Sequence, residues 1–226
     1  MELEELGMPS NIEPFVIGLT GLSGAGKTYF VDALKARLGD SVTIVGFDDY
    51  YKPLEMQHVD AFGEANYDLP SALFSERFHE DLMSLIAYKP VMIKKYQFEN
   101  YDAPDRTEIV SPAPILLVEG LFVMDYVAVD SLLNYRIFID CDLELCFQRR
   151  KDRDIRERGI PLKRSLHQWE HHVMPAYNNH IFPHKDRCDL IVENNGPADE
   201  NVAAIIEHIR CHAHPSVLAA IGEGLS

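Results

Sequence analysis
Short, continuously apolar runs alternate along the chain with longer stretches in which apolar residues recur every three or four positions. The first run, Phe15-Val16-Ile17-Gly18-Leu19-Thr20, has no polar face, which suits a strand buried on both sides. A glycine-rich turn follows, then Tyr29, Phe30, Ala33, Leu34 and Leu38 at helical spacing, closed by Gly39-Asp40. Residues 42–47, 114–120, 135–140 and 189–192 predict four further strands of the same buried kind. Helices are expected between them. One starts from a Ser71 cap and carries Leu73, Phe74, Phe78, Leu82, Leu85 and Ile86 on a single stripe. The others cover roughly 121–133, 142–158, 162–180 with a bend or interruption at Pro175, and 202–211. Residues 52–70 lack any period and hold Pro53, Gly63 and Pro70, so they read as a long loop of the kind that is usually functional or mobile. Residues 90–98 and 106–110 flank a polar turn at 100–105, which predicts an inserted β-hairpin.

This alternation predicts an α/β fold, a parallel sheet covered by helices on both faces. Without an internal repeat or a linker, residues 14–213 read as one domain, with the hairpin insertion at about 90–111. A flexible tail is expected at 1–13, and residues 214–226 read as a C-terminal tail of ambiguous structure.

Charge changes the picture by exclusion. A net charge of −15 leaves no broad basic surface for a nucleic-acid polymer or an anionic membrane. No apolar run approaches the length of a membrane span, and residues 1–13 lack the basic-then-apolar order of a signal peptide. The four cysteines (Cys141, Cys146, Cys188, Cys211) have no CxxC spacing, as expected of reduced thiols. The expectation is a soluble cytoplasmic protein.

The turn after the first strand carries the chemistry. Gly21-Leu22-Ser23-Gly24-Ala25-Gly26-Lys27-Thr28 fits GxxxxGK[ST], the P-loop. Its glycines let successive backbone N–H groups point inward and form an anion cradle at a helix N-terminus. Lys27 then reaches the β- and γ-phosphates of a nucleoside triphosphate, and the Thr28 hydroxyl ligates Mg²⁺. Ligands of such sheets sit beyond the carboxyl ends of the strands, where Asp48 and Glu119 are also found. Thr28, Asp48 and Glu119 are the oxygen donors best placed for a hard cation. Asp48 begins the long loop and is the candidate for taking the acceptor's proton in a kinase reaction.

Five arginines (Arg149, Arg150, Arg153, Arg156, Arg158) crowd one predicted helix. At about 100° per residue Arg149, Arg153 and Arg156 share a face, with Arg150 adjacent. Pairs at i,i+4, such as Arg150–Asp154 and Asp154–Arg158, are also typical of a solvated helix. In so acidic a chain the cluster reads as a lid at about 149–165 that clamps phosphate by bidentate forks. The histidine pairs His167/His171, His180/His184 and His208/His212 have helical metal-ligand spacing. No third ligand is evident for any of them, so surface or structural roles are expected rather than zinc.

Together these residues resemble the uridine kinase (uridine–cytidine kinase) family of P-loop kinases, related to phosphoribulokinase and bacterial pantothenate kinase. The resemblance runs from about residue 15 to 196. It includes the P-loop, Asp48-Asp49-Tyr50-Tyr51, Asn66-Tyr67-Asp68-Leu69-Pro70, Tyr96-Gln97-Phe98 and Val118-Glu119-Gly120. It continues through Arg149-Arg150, Arg153-Asp154-Ile155, Glu157-Arg158-Gly159, Pro175-Ala176-Tyr177 and Asp189-Leu190-Ile191.

The resemblance implies a five-stranded parallel sheet between helices, with a hairpin over the acceptor site and an arginine-rich lid. It implies ATP and Mg²⁺, and a nucleoside acceptor phosphorylated at its ribose 5′-hydroxyl. Asp48 matches the catalytic carboxylate, and Glu119 the Mg²⁺-associated acid. Asp68, Arg150 and Gln168 match residues that hold the ribose, and Arg153 and Arg158 match lid arginines on the phosphates. Tyr51 and Tyr96 match aromatics of the nucleoside pocket, and the loop at 194–199 falls where the adenine packs. Family members are often homo-oligomers. Tyr101 stands where the family has a histidine reading the pyrimidine edge, and Ile160 where it has an arginine beside the base. Gln97 and Ser71 replace aspartates. The ribose and phosphate residues are thus kept while the base-reading side differs. Uridine and/or cytidine is the expected acceptor, and another small hydroxylated compound or a non-catalytic nucleotide switch are the alternatives. No Asn-Lys-x-Asp guanine-reading element supports the switch.

Overall fold
A computed structural model of the protein describes residues 12–96, 106–196 and 199–221. Five parallel strands form the central sheet. They are β1 (Phe15–Gly21), β2 (Val42–Gly46), β7 (Ile115–Glu119), β8 (Tyr135–Asp140) and β9 (Leu190–Glu193), in the order β2-β7-β1-β8-β9. β1 is central because it is apolar throughout: all seven of its residues are buried. The helices are α1 (Lys27–Leu38), α2 (Ser75–Ile86), α3 (Val127–Asp130), α4 (Leu143–Arg156), α5 (Leu162–Gln168), α6 (Met174–Ala176), α7 (Asp199–His212) and α8 (Pro215–Ile221). Phe30, Leu34, Phe78, Leu82, Ile205 and Ile209 pack from α1, α2 and α7 into one core with the strands. The expected hairpin is present as β5 (Val91–Lys95) paired antiparallel with β6 (Arg106–Val110). Its turn, and with it Gln97, Phe98 and Tyr101, lies outside the described residues.

The register positions the chemistry. Leu19 and Gly46 both pair with Glu119, so β1, β2 and β7 end abreast at one edge of the sheet. The chain then leaves β2 through a 3-10 turn, Phe47–Tyr50, that carries Asp48.

Several local expectations are corrected. Over 121–133 only Val127–Asp130 is helical. Phe122, Val123, Met124 and Leu133 are apolar because they are buried against the sheet, Val123 and Leu133 over Gly18 of β1, not because they line a helix face. The helix after Ser71 begins later, at Ser75. Tyr51 bridges Leu73, and Phe74 N–H donates to Tyr50 O, which holds that segment extended. The long loop contains a small ribbon, β3 (His58–Val59) against β4 (Ala65–Asn66). Around Pro175 the helix continues, widened into π-helical turns at Trp169–Val173 and Tyr177–Ile181 on either side. The expected tail at 214–226 holds α8 over 215–221, whose Val217 and Ile221 are buried against the core. Its two apolar anchors were too few to register as a period.

Candidate active site
The P-loop turns from β1 into α1 between Gly21 and Lys27. Gly24 and Gly26 lie in the left-handed region, at φ 87° and 97°. A Cβ on Gly24 would stand 2.2 Å from the Cys146 carbonyl oxygen, and one on Gly26 would stand 2.3 Å from Asn194 Nδ2. Glycine is required at both by conformation and by space. Asn194 Nδ2 donates to Ala25 O (2.7 Å) and so ties the loop after β9 to the P-loop. Lys27 Nζ donates to the carbonyls of Gly21 (3.0 Å) and Leu22 (3.4 Å), and burial lowers its pKa.

One cavity gathers most of the predicted residues. Ser23, Gly24, Gly26, Lys27 and Thr28 line it from the P-loop, and Asp48, Tyr51, Asp68 and Glu119 from the strand ends and long loop. Arg149, Arg150, Arg153 and Arg158 come from α4 and the turn after it. Gln168 is buried but is not among the lining residues, and Tyr96 packs one layer behind, its ring centroid 5.4 Å from Tyr51. Arg156, expected on the shared face, points to solvent instead, while Arg158 joins the cavity because the chain turns after α4 ends.

Asp154 explains why these arginines stay ordered. It is fully buried, with Arg150 Nε at 3.4 Å, Arg158 Nη1 at 3.5 Å and Arg153 Nε at 4.0 Å, and it accepts a hydrogen bond from Ser165 Oγ (3.0 Å). The i,i+4 pairs that suggested a solvated helix surface are therefore formed, but inside the protein. Arg150 also donates to Ser23 Oγ (2.7 Å) and faces Asp68 Oδ2 at 3.5 Å, linking the P-loop to the long loop.

Sequence reasoning assigned no role to Asp154, Asp49 or Tyr67. Asp49 binds Lys95 Nζ (2.6 Å) and accepts from Tyr96 N–H (3.3 Å), which fastens the hairpin to the strand end. Tyr67 stacks edge-on against Tyr51, 5.7 Å between centroids, and lines the cavity. The available signal for Asp154 was its symmetric spacing from Arg150 and Arg158.

The two acids at the strand ends share one electrostatic problem. Burial raises the pKa of Asp48, against the pull of Lys27, Arg158 and Arg153. Glu119 is pushed up to about 7, by burial first and by the neighbouring Asp48 second. Two carboxylates facing one cavity, Asp48 open to it and Glu119 half-buried, offer oxygen donors beside the Thr28 hydroxyl that fit a hard divalent cation, which would supply the positive charge the pair lacks. The histidines spaced four apart lie together, with ring centroids 4.6 Å apart for His167 and His171 and 5.7 Å for His208 and His212. His167 also shares a third group with His172, five positions on: both reach Asp60 of the long loop. His180 and His184 share Asp125, and His208 contacts Tyr135. Among the described residues, no helix is long and apolar enough to cross a membrane.

Comparison with known proteins bears on this geometry. The chain is 34% identical to the uridine kinase of Lactiplantibacillus plantarum over 193 residues, 85% of this chain and 91% of that protein. It is 31% identical to uridine kinase-like protein 5 of Arabidopsis thaliana, matching 88% of this chain but 43% of that longer protein. Among solved structures, a possible uridine kinase from Bacillus stearothermophilus superposes with a TM-score of 0.55 at 18% identity, covering 83% of this chain and 93% of that one. The phosphoribulokinase from Rhodobacter spheroides superposes with a TM-score of 0.59 at 16% identity, covering 81% and 71%. At such identities the two structures speak for the P-loop kinase fold alone. The sequence profile of the Phosphoribulokinase / Uridine kinase family matches residues 16–200, a span that runs from β1 into α7 and holds every residue lining the cavity. By that match, and by its identity to the bacterial relative over most of both chains, the protein belongs to the phosphoribulokinase/uridine kinase family.

Proposed function
We propose that the chain is an ATP-dependent nucleoside kinase that transfers the γ-phosphoryl group of ATP to the ribose 5′-hydroxyl of uridine and/or cytidine. The carrying observation is that the P-loop and the Asp68–Arg150 pair line one cavity together with Asp48. The names of the bacterial relatives support the acceptor class. Asp68 and Arg150 hold the sugar hydroxyls, with Gln168 in support, and Tyr51, Tyr67 and Tyr96 wall the nucleoside side. Asp48 accepts the hydroxyl proton as the phosphoryl group moves, from a position where desolvation raises its carboxyl pKa. Lys27, Arg153 and Arg158 balance charge on the transferred group, and closing the arginine segment over it excludes water as a competing acceptor. Thr28, Asp48 and Glu119 are the residues that would hold Mg²⁺, which when bound neutralises the β- and γ-phosphate oxygens. The free cysteines fit a cytoplasmic enzyme.

The test is a phosphoryl-transfer assay with uridine and cytidine side by side. Product 5′-monophosphate from either is the expected result, and ATP turnover that neither nucleoside stimulates would overturn the reading. A second reading rests on Ile160, which is buried and apolar where the family has an arginine beside the base. It is phosphorylation of another ribosyl acceptor, and the same assay extended to ribulose 5-phosphate and pantothenate separates the two.

A further inference from the structure
The long loop carries a second constellation, away from the P-loop. Asp60 Oδ2 lies 2.6 Å from His167 Nε2 and 2.8 Å from His172 Nε2. The three ligand atoms fall within 4.8 Å of one another. In an α-helix, residues five apart point about 140° away from each other. The π-helical turn at Trp169–Val173 widens the helix so that the two imidazoles meet at one carboxylate oxygen. Single π turns inside helices recur at functional sites.

The carboxylate is aimed. Its Oδ1 accepts the backbone N–H groups of Phe62 (2.8 Å) and Glu64 (2.9 Å), leaving Oδ2 for the histidines. Such outer hydrogen bonds are what orient a metal-binding carboxylate. The Phe62 ring covers His167 edge-on, at 4.8 Å between centroids, and His172 is 2% exposed, so the site is largely sheltered from water.

We propose that Asp60, His167 and His172 form a binding site for a zinc-class divalent ion, with water as the fourth ligand, that clamps the long loop onto the helical segment beginning at α5. Two imidazoles and a carboxylate select a borderline metal over Mg²⁺, which prefers oxygen throughout. Tetrahedral ligation at about 2.0–2.1 Å sets ligand atoms about 3.3 Å apart, so Oδ2 must draw away from each Nε2 by about 0.5–0.8 Å from the hydrogen-bonded separations of 2.6 and 2.8 Å. Each imidazole then carries its proton on Nδ1. The other histidine pair is unsuitable for this chemistry. Arg187 Nε donates to His184 Nδ1 (2.9 Å), which leaves the proton of neutral His184 on Nε2, the nitrogen that faces Asp125. The clamp acts on the same loop that supplies Asp68, and Arg164–Glu64 (2.6 Å) fastens that loop to the same helix.

The test uses the full chain, stripped with chelator and held in excess Mg²⁺ without nucleotide, so that it does not depend on which acceptor the enzyme uses. Zn²⁺ is titrated by equilibrium dialysis with metal analysis, and Co²⁺ by its visible absorption. Wild type should take up one equivalent of Zn²⁺ and melt at a higher temperature with it. Asp60→Asn and His167→Ala should each weaken uptake at least about tenfold and abolish the melting shift. These two side chains are partly exposed, so both variants are expected to fold, and circular dichroism of the metal-free proteins checks that. Equal uptake by wild type and Asp60→Asn would overturn the proposal. So would uptake that Asp125→Asn removes and Asp60→Asn does not.

Discussion
The turn after β1 and the loop after β2 reach the same cavity from the two strands that flank β7, yet they are made of different material. The P-loop wall belongs to one run of eight residues, shaped by backbone conformation at Gly24 and Gly26 and by the Lys27 bonds to Gly21 and Leu22, and tied outward through Ala25 to Asn194 and through Ser23 to Arg150. The wall opposite is made of side chains. Tyr51, Tyr67 and Asp68 come from the long loop and Arg150 from α4. They are held by pairs distant in sequence: Asp49–Lys95 to the hairpin, Glu64–Arg164 to α5, and Asp154 beneath the arginines. A backbone-built wall tolerates little change at its glycines, whatever side chains it also presents. A side-chain-built wall depends on each of its anchors, so its failures should be separable from those of the P-loop.

The largest effect is expected where the walls meet. Asp48→Asn should lower turnover about a thousandfold while ATP still binds, read by steady-state kinetics beside calorimetry. Near-normal turnover would remove Asp48 from proton transfer. Next is Asp154→Asn, which strips buried Arg150 and half-buried Arg153 and Arg158 of their shared counter-charge. Unfolding free energy should fall by about 3 kcal/mol or more in denaturant titrations, and affinity for both substrates should fall with it. Loss of affinity for one substrate alone would break the view of Asp154 as the anchor that joins the walls. Smaller and one-sided, Asp68→Asn should raise KM for the nucleoside about tenfold and leave KM for ATP unchanged. A matching rise for ATP would mean that the two walls are not separable.

The smallest effect concerns alkaline pH. The phenols of Tyr50, Tyr51 and Tyr177 are all pushed up by burial from the ordinary 10.0, Tyr177 to about 12. Above pH 10 the unfolded chain therefore loses these protons before the native one does. It binds fewer protons, and stability falls as pH rises. Denaturant midpoints should be flat up to about pH 9 and decline beyond it. Tyr50→Phe should soften the decline. The P-loop has no tyrosine, so nucleoside affinity should weaken before ATP affinity does.

The same contrast explains how much could be read in advance. The five strands and their parallel arrangement were legible because strands buried on both faces must be apolar throughout. The P-loop was legible because its geometry is a local property of glycine, lysine and threonine at fixed spacing. The carboxylates at strand ends followed from where ligands sit on such sheets, and the β1, β2 and β7 registers bring Glu119 level with Leu19 and Gly46. Asp154 looked like half of a surface pair, since spacing reports that two residues can meet on a helix but not what lies over them. That His167 shares Asp60 with His172, five positions on, was not legible, because nothing in the letters marks where a helix widens to a π turn.

Sequence by itself thus determined what local sterics and strand burial dictate: the sheet, the glycine-rich turn after β1, and the acids at the strand ends. Only the tertiary structure decided which charges are buried, which of the arginines turn inward, and that Asp60 meets two imidazoles more than a hundred residues away. Those outcomes depend on desolvation and on contacts between distant segments, which are set by how the whole chain packs.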